Sequence, residues 1–222
     1  SFLAKREKQK ETQVWMISLR RNDTVQVTDA PTSIITYRWS PDGKRIGYIA
    51  QSPPSEKEKR LKAAGYEFVY FEENLKHRNI YILDVDEKGK GGQPRQLTED
   101  ITAWSFEFSP DGKSIAFGGS PQNLVDHEYM FQKIFLLDVA TGSRRQLTDN
   151  PGKLGNYAFS PDGKYLAFNA ALTRNDHAAS QAFVIPTSGG EAKNLTPARY
   201  RGHVTWVGWK DKSTIVYRSA EG

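Results

Sequence analysis

Apolar and polar positions alternate in short runs along most of the chain, and the runs recur in phase. Tyr37 and Trp39, Phe106 and Phe108, and Tyr157 and Phe159 each stand one residue apart just before a turn, and Trp206 and Trp209 take that place further on. After each turn comes an apolar, small, aromatic triplet: Ile46-Gly47-Tyr48, Ile115-Ala116-Phe117 and Leu166-Ala167-Phe168, with Ile215-Val216-Tyr217 as the last copy. A third run follows at Val14–Leu19, Ile80–Val85, Ile134–Val139 and Ala182–Ile185, and a fourth leads to a threonine. Short runs rich in β-branched and aromatic residues, bounded by Gly, Pro, Asn or Asp, predict strands.

Two markers keep these runs in phase. Ser-Pro-Asp-Gly-Lys occurs at Ser40–Lys44, Ser109–Lys113 and Ser160–Lys164, with a decayed copy at Lys210-Asp211-Lys212. Val27-Thr28, Leu97-Thr98, Leu147-Thr148 and Leu195-Thr196 precede them by eleven to fourteen residues. The turn has a mechanism: proline presets φ at its first corner, aspartate bonds the local backbone, and glycine takes the left-handed position. The aspartates are therefore turn residues rather than catalytic ones. Gly89-Lys90-Gly91-Gly92 lacks the setting of a phosphate loop. It reads as a hairpin tip, the place that Thr141-Gly142 and Ser188-Gly189-Gly190 take later.

Four antiparallel strands repeating at roughly fifty residues predict a β-propeller, all-β, built from four-stranded blades. A small sheet cannot bury both faces alone, so blades stack and bury each other. The small residues Gly47, Ala116 and Ala167 are expected where neighbouring sheets approach most closely. The blades run 1–28 (partial), 31–98 with an insertion at 51–79, 99–148, 149–196 and 200–222 (partial). About three full blades and two partial ones make an incomplete propeller. Closure then needs a longer chain or a partner, a homo-oligomer included. The competing reading joins the end pieces into one composite blade of a four-bladed ring, and the rarity of small rings disfavours it.

Composition narrows the function classes. Aromatics make up 12% and hydrophobic residues 37%, which supplies a packed core. There is no cysteine, so no disulfide and no thiolate chemistry, and cytoplasm and periplasm both stay open. No apolar run approaches the roughly 20 residues of a membrane span. Net charge is +5 from 31 basic and 26 acidic residues, scattered rather than gathered into a basic stripe, so no nucleic-acid partner is expected.

Ser-Pro-Asp-Gly-Lys, an apolar-Ala-Phe strand, a strand ending Leu-Asp-Val, and Arg-Gln-Leu-Thr together resemble the repeat of TolB-type propellers. The same repeat builds the propeller domain of the prolyl oligopeptidase family of serine peptidases, dipeptidyl and acylaminoacyl peptidases among them. The stretch Glu56 to Asn79, leading into Ile80-Tyr81-Ile82-Leu83-Asp84-Val85, is similar to an insertion in bacterial members of that family. The resemblance implies a parent serine peptidase whose α/β-hydrolase domain carries a Ser-Asp-His triad, with the propeller admitting only short or unfolded peptides. This chain has no Gly-x-Ser-x-Gly elbow, so no catalytic residue is assigned in it and no cofactor is expected. The alternative is a stand-alone TolB-type propeller serving as a protein-interaction platform.

Two constellations remain. His77, His127 and His177 fall between second and third strands, and His203 in the connection entering a blade, all on one propeller face. They form a polar rim, a metal site in the manner of metal-dependent lyases on similar repeats, or unrelated loop histidines, and the last reading is preferred. Glu72-Glu73, near the end of the insertion, resembles the glutamate pair with which dipeptidyl peptidases hold a free amino terminus. A solvated loop is the competing reading for that pair.

Overall fold

The computed structural model describes residues 1–6, 9–19, 22–66, 75–197 and 199–220. Among them, seventeen strands form five antiparallel sheets. The chain divides into two compact units, residues 1–103 with 122–124, and residues 104–121 with 125–220.

The first unit holds two sheets. One is β1 (Phe2–Ala4), β2 (Gln13–Ser18) and β3 (Asp23–Gln26), in that spatial order. The other is β4 (Ile34–Trp39), β5 (Arg45–Gln51), β6 (Arg78–Asp84) and β7 (Arg95–Gln96), with helix α1 (Glu56–Ala63) between β5 and β6. Val14, Val27, Ala30, Ile34, Ile46, Tyr48 and Leu83 form a buried cluster joining them.

The second unit takes most of β8 (Thr102–Phe108), whose sheet continues through β9 (Ser114–Ser120), β10 (Lys133–Asp138) and β11 (Arg144–Gln146), with helix α2 (Val125–Met130) before β10. Next come β12 (Leu154–Phe159), β13 (Tyr165–Ala171), β14 (Ser180–Pro186) and β15 (Lys193–Asn194). The last sheet is the pair β16 (His203–Trp209) and β17 (Ile215–Ala220). Ala116 packs in the cluster with Tyr157, Phe159 and Phe168 of the following sheet, and Ala167 with Val204 and Val207 of the sheet after that. Both alanines are fully buried, because a larger side chain there would hold the sheets apart.

The turn motif works as its residues demand, with one addition. In each copy the serine is buried, and its hydroxyl donates to the aspartate Oδ1: Ser40 to Asp42 at 2.5 Å, Ser109 to Asp111 at 2.6 Å, Ser160 to Asp162 at 2.7 Å. The same oxygens accept the backbone N–H of Lys44, Lys113 and Lys164. These hydrogen bonds hold all three carboxyls below the usual aspartate range, the serine contributing most. The glycines sit at φ +68, +66 and +72, as the left-handed corner requires.

The threonine marker turns out to be a latch. The fourth strands are short and stop before the third strand's ladder is complete. The Thr28, Thr98, Thr148 and Thr196 hydroxyls accept the N–H of Val14, Ile80, Ile134 and Ala182 at 2.9–3.1 Å. The residue before each threonine donates its own N–H to the carbonyl of that same third-strand residue. The hydroxyl proton goes to a neighbouring amide oxygen, Gln13, Asn79, Asn150 or Asn194. A buried backbone amide must be paired, and here a side chain completes the ladder.

Within the second unit asparagines tie sheet to sheet. A register shift between Leu154 and Tyr157 frees Asn156 from its ladder. Its amide then mimics a peptide, donating to the Val207 carbonyl at 2.7 Å and accepting the Val207 N–H at 2.9 Å. Asn169 accepts from the Asn156 N–H and donates to the Val204 carbonyl. Position 155 must be glycine, because a Cβ would lie 2.3–2.6 Å from the Asn169 amide.

Candidate functional site

The connections between second and third strands hold both helices and three of the four histidines named above. The largest is the insertion between β5 and β6, and it opens on a helix whose start is dictated locally. The Ser55 hydroxyl accepts the Glu58 N–H, and the Glu58 carboxylate accepts the Ser55 N–H at 2.6 Å, a reciprocal capping box. No residue of α1 is buried, so its caps and charge pairs, not core packing, hold it. Glu58 also receives Lys76 Nζ at 2.6 Å, joining the helix to the stem that returns into β6. The stem is fixed further by Ser52 N–H to the His77 carbonyl, Asn79 Nδ2 to Ser52 Oγ, and Asn123 Nδ2 to the Lys76 carbonyl.

The Lys76 hydrogen bond, then those from Ser55, lower the Glu58 carboxyl to a pKa of about 2. A depressed carboxyl contributes stability that is present above its ordinary pKa and is lost as pH falls through the folded value. The α1 amide signals are therefore expected to hold their positions in NMR spectra from pH 7 down to about 4.5, to drift progressively toward coil values below that, and to reach them near about 2. Glu58→Gln should fray α1 across that whole range. An α1 already fully at coil values at pH 4 in the unsubstituted chain contradicts the assignment.

Ser52, Ser55, Lys57, Glu58, Leu61, Leu75, Lys76 and His77 line a groove of about 570 Å³ at this root. In it Leu61 and Leu75 stand beside the Lys76–Glu58 ion pair. Glu72 and Glu73 lie outside the described residues.

The four histidines do separate things. His77 stands just before β6, its Nδ1 2.9 Å from the Thr102 hydroxyl. His127 lies in α2 with its ring 5.1 Å from that of Phe131, and its Nδ1 is buried without a protein hydrogen bond. His177 follows Asp176, whose carboxylate is held by Lys153 Nζ at 2.5 Å and lowered in pKa by it. His203 is not in the entering connection, where its place in the repeat put it. It is the first residue of β16, and its Nδ1 accepts the Ser180 N–H at 3.0 Å. That bond fixes the proton on Nε2 and gives the ring a backbone-pairing role. Among the described residues no three His, Asp or Glu side chains gather as a metal site would require.

In the second unit a cleft of about 640 Å³ opens at the turn ends of the strands, lined by Asp111, Asp138, Arg144, Arg145, Asp162 and Thr187, among others. Asp111 and Asp162 are committed to their turns, and Asp138 accepts the N–H and hydroxyl of Thr141. The Arg145 guanidinium donates to the Thr187 carbonyl. Carboxylates tied this way and lowered in pKa are poor proton donors or acceptors near neutrality.

No family model matches the chain. Sequence comparison finds an uncharacterized peptidase, YuxL, of Bacillus subtilis, 26% identical over 75% of this chain and 26% of the relative. It also finds dipeptidyl-peptidase 5 of Porphyromonas gingivalis, 24% identical over 76% of this chain and 22% of the relative. The chain spans about a quarter of the length of these curated relatives. Among solved structures, TolB from Acinetobacter baumannii matches 91% of this chain and 41% of its own at 19% identity, TM-score 0.52. A puromycin-hydrolyzing peptidase of Mycobacterium tuberculosis matches 94% of this chain and 30% of its own at 13% identity, TM-score 0.60. The fold is that of TolB-type propeller repeats, and the resemblance to the propeller domain of prolyl-oligopeptidase-type peptidases, read from the turn, the threonine marker and the insertion, stands.

Proposed function

We propose that this chain is a non-catalytic propeller domain, about three blades and two partial ones, that filters peptide substrates for a serine-peptidase hydrolase domain in the same parent protein. The observation that carries this reading is the similarity over three quarters of the chain to two proteins named as peptidases. The chain's own chemistry agrees. It holds no nucleophile elbow, and its turn carboxylates are locked in hydrogen bonds. Within the second unit a backbone-mimicking asparagine joins the last two sheets, which suits a rigid wall. A rigid wall around a hydrolase site excludes substrates by size, because a folded protein cannot thread through and a short flexible peptide can.

The test is cleavage by the intact protein of one scissile sequence in two settings, a short peptide and an exposed loop of a folded protein. Cleavage of the peptide alone supports filtering, and equal cleavage of both overturns it. A second reading, a stand-alone interaction platform, is favoured by the TolB likeness. It is supported instead if the intact protein has no peptidase activity on either substrate.

A further inference from the structure

Each Ser-Pro-Asp-Gly turn contains an Asp-Gly bond. Such a bond is open to rearrangement, because glycine brings no Cβ to shield its nitrogen. In that rearrangement the glycine nitrogen attacks the aspartate Cγ. An N–Cγ bond forms, the carboxyl C–OH bond breaks, and the hydroxyl leaves as water with the nitrogen's proton. The product is a five-membered succinimide. Water then opens the ring at either carbonyl, which restores aspartate or leaves isoaspartate, its main chain running through Cγ. The first step needs a protonated carboxyl, since a carboxylate cannot release its oxygen as water. It also needs a glycine nitrogen free to turn toward Cγ.

The folded turns oppose both requirements. Oδ1 of Asp42, Asp111 and Asp162 accepts the hydroxyl proton of Ser40, Ser109 and Ser160 at 2.5–2.7 Å. The same oxygens accept a lysine N–H at 3.0–3.1 Å, so both partners are donors and favour the ionised carboxylate. Each glycine N–H in turn donates to the carbonyl of that same serine, at 2.9, 2.8 and 2.8 Å for Gly43, Gly112 and Gly163. One serine therefore holds both reacting groups, the carboxylate through its hydroxyl and the nitrogen through its carbonyl. The three turns differ in how much space surrounds them. Gly43 is exposed, with no atom within 4 Å of where a Cβ would stand. Gly163 is half-buried, with Pro110 Cδ 3.5 Å from that point, and Gly112 is buried.

We propose that Asp42, Asp111 and Asp162 are isoaspartate-forming modification sites that the turn serines hold latent, and that Asp42-Gly43 is the first to convert. Conversion adds a carbon to the main chain of a tight turn. The β4–β5 hairpin closes on two bonds of 2.9 Å, Ser40 N–H to the Arg45 carbonyl and Arg45 N–H to Ser40 Oγ. A lengthened turn cannot keep both, so modification at Asp42 loosens the hairpin at its closed end. The inference rests on turn geometry alone and on neither reading of the protein's function.

The test stores the unsubstituted chain, Ser40→Ala and Ser40→Thr in mildly acidic buffer for several weeks. Isoaspartate at each site is then measured by peptide mapping with a fragmentation that separates the two isomers. The proposal expects conversion at Asp42 to rise about tenfold in Ser40→Ala, the scale of one lost hydrogen bond to a charged group. Ser40→Thr keeps the hydroxyl and should stay near the unsubstituted level. Equal conversion at Asp42 in Ser40→Ala and the unsubstituted chain overturns the proposal. Should Ser40→Ala fail to fold, the unsubstituted chain decides by itself. Its three sites are expected to convert fast and alike in urea, and slowly when folded, in the order Asp42, Asp162, Asp111. Folded conversion as fast as in urea, or an order led by Asp111, overturns the proposal.

Discussion

Phe168→Ala is expected to destabilise the second unit by about 3–5 kcal/mol, the range for emptying a buried phenylalanine site. Phe168 sits in the cluster where one sheet meets the next, stacked on Phe183 and nearly sealed from water. Truncation removes the transfer energy of the ring, the stacking, and the support of Ile185 and Leu166 beside it. Sheets on either side cannot move together to close the gap, because the Tyr157 hydroxyl, 2.8 Å from the Ser105 hydroxyl and accepting the Gly118 N–H at 2.9 Å, holds this seam at fixed hydrogen-bond lengths. At about 2–4 °C per kcal/mol, thermal unfolding should fall by roughly 10 °C. Phe168→Leu should lose much less, since it keeps most of the volume. A fall of only a degree or two for Phe168→Ala, read by calorimetry, contradicts the packing described.

The second large effect is expected from a change that leaves volume almost untouched. Thr148→Val keeps shape but removes the hydroxyl that accepts the Ile134 N–H and donates to Asn150 Oδ1. Ile134 is fully buried and Thr148 is nearly so, so water cannot take over. Leaving buried polar groups unpaired costs about 1–3 kcal/mol each, which outweighs the small gain from a more apolar side chain. Thr148→Ser retains the hydroxyl and should recover most of the loss. The measurement is the urea midpoint of the three proteins, and a valine variant equal to the serine one would show that the marker is kept for its shape.

The two cases show what the sequence made legible. The repeat was plain, because strand alternation, turn chemistry and the threonine marker recur in phase. The marker's position could be read, but its reason could not, since a hydroxyl finishing a ladder appears only once the fourth strand is seen to stop short. The second-strand aromatics were visible at Tyr48, Phe117 and Phe168, whereas their stacking on Tyr81, Phe135 and Phe183 depends on register, which alternation alone does not give. The start of helix α1 is legible in the sequence. Ser55-Glu56-Lys57-Glu58 is a capping-box pattern, hidden inside a charged insertion that has no apolar periodicity to draw attention. Asn156 carried no signal, because its role comes from a bulge. Position in the repeat assigned the histidines to one face. It could not show that His203 would pair with a backbone amide on β16 or that His77 would meet Thr102.

The central claim is that these blades wall a peptidase, and the most direct measurement is the coding sequence beyond Gly222. The account predicts a continuing frame that completes the propeller and then encodes Gly-x-Ser-x-Gly, followed downstream by an aspartate and a histidine in that order. A frame that stops within about 100 residues, one small domain's length, contradicts the peptidase assignment.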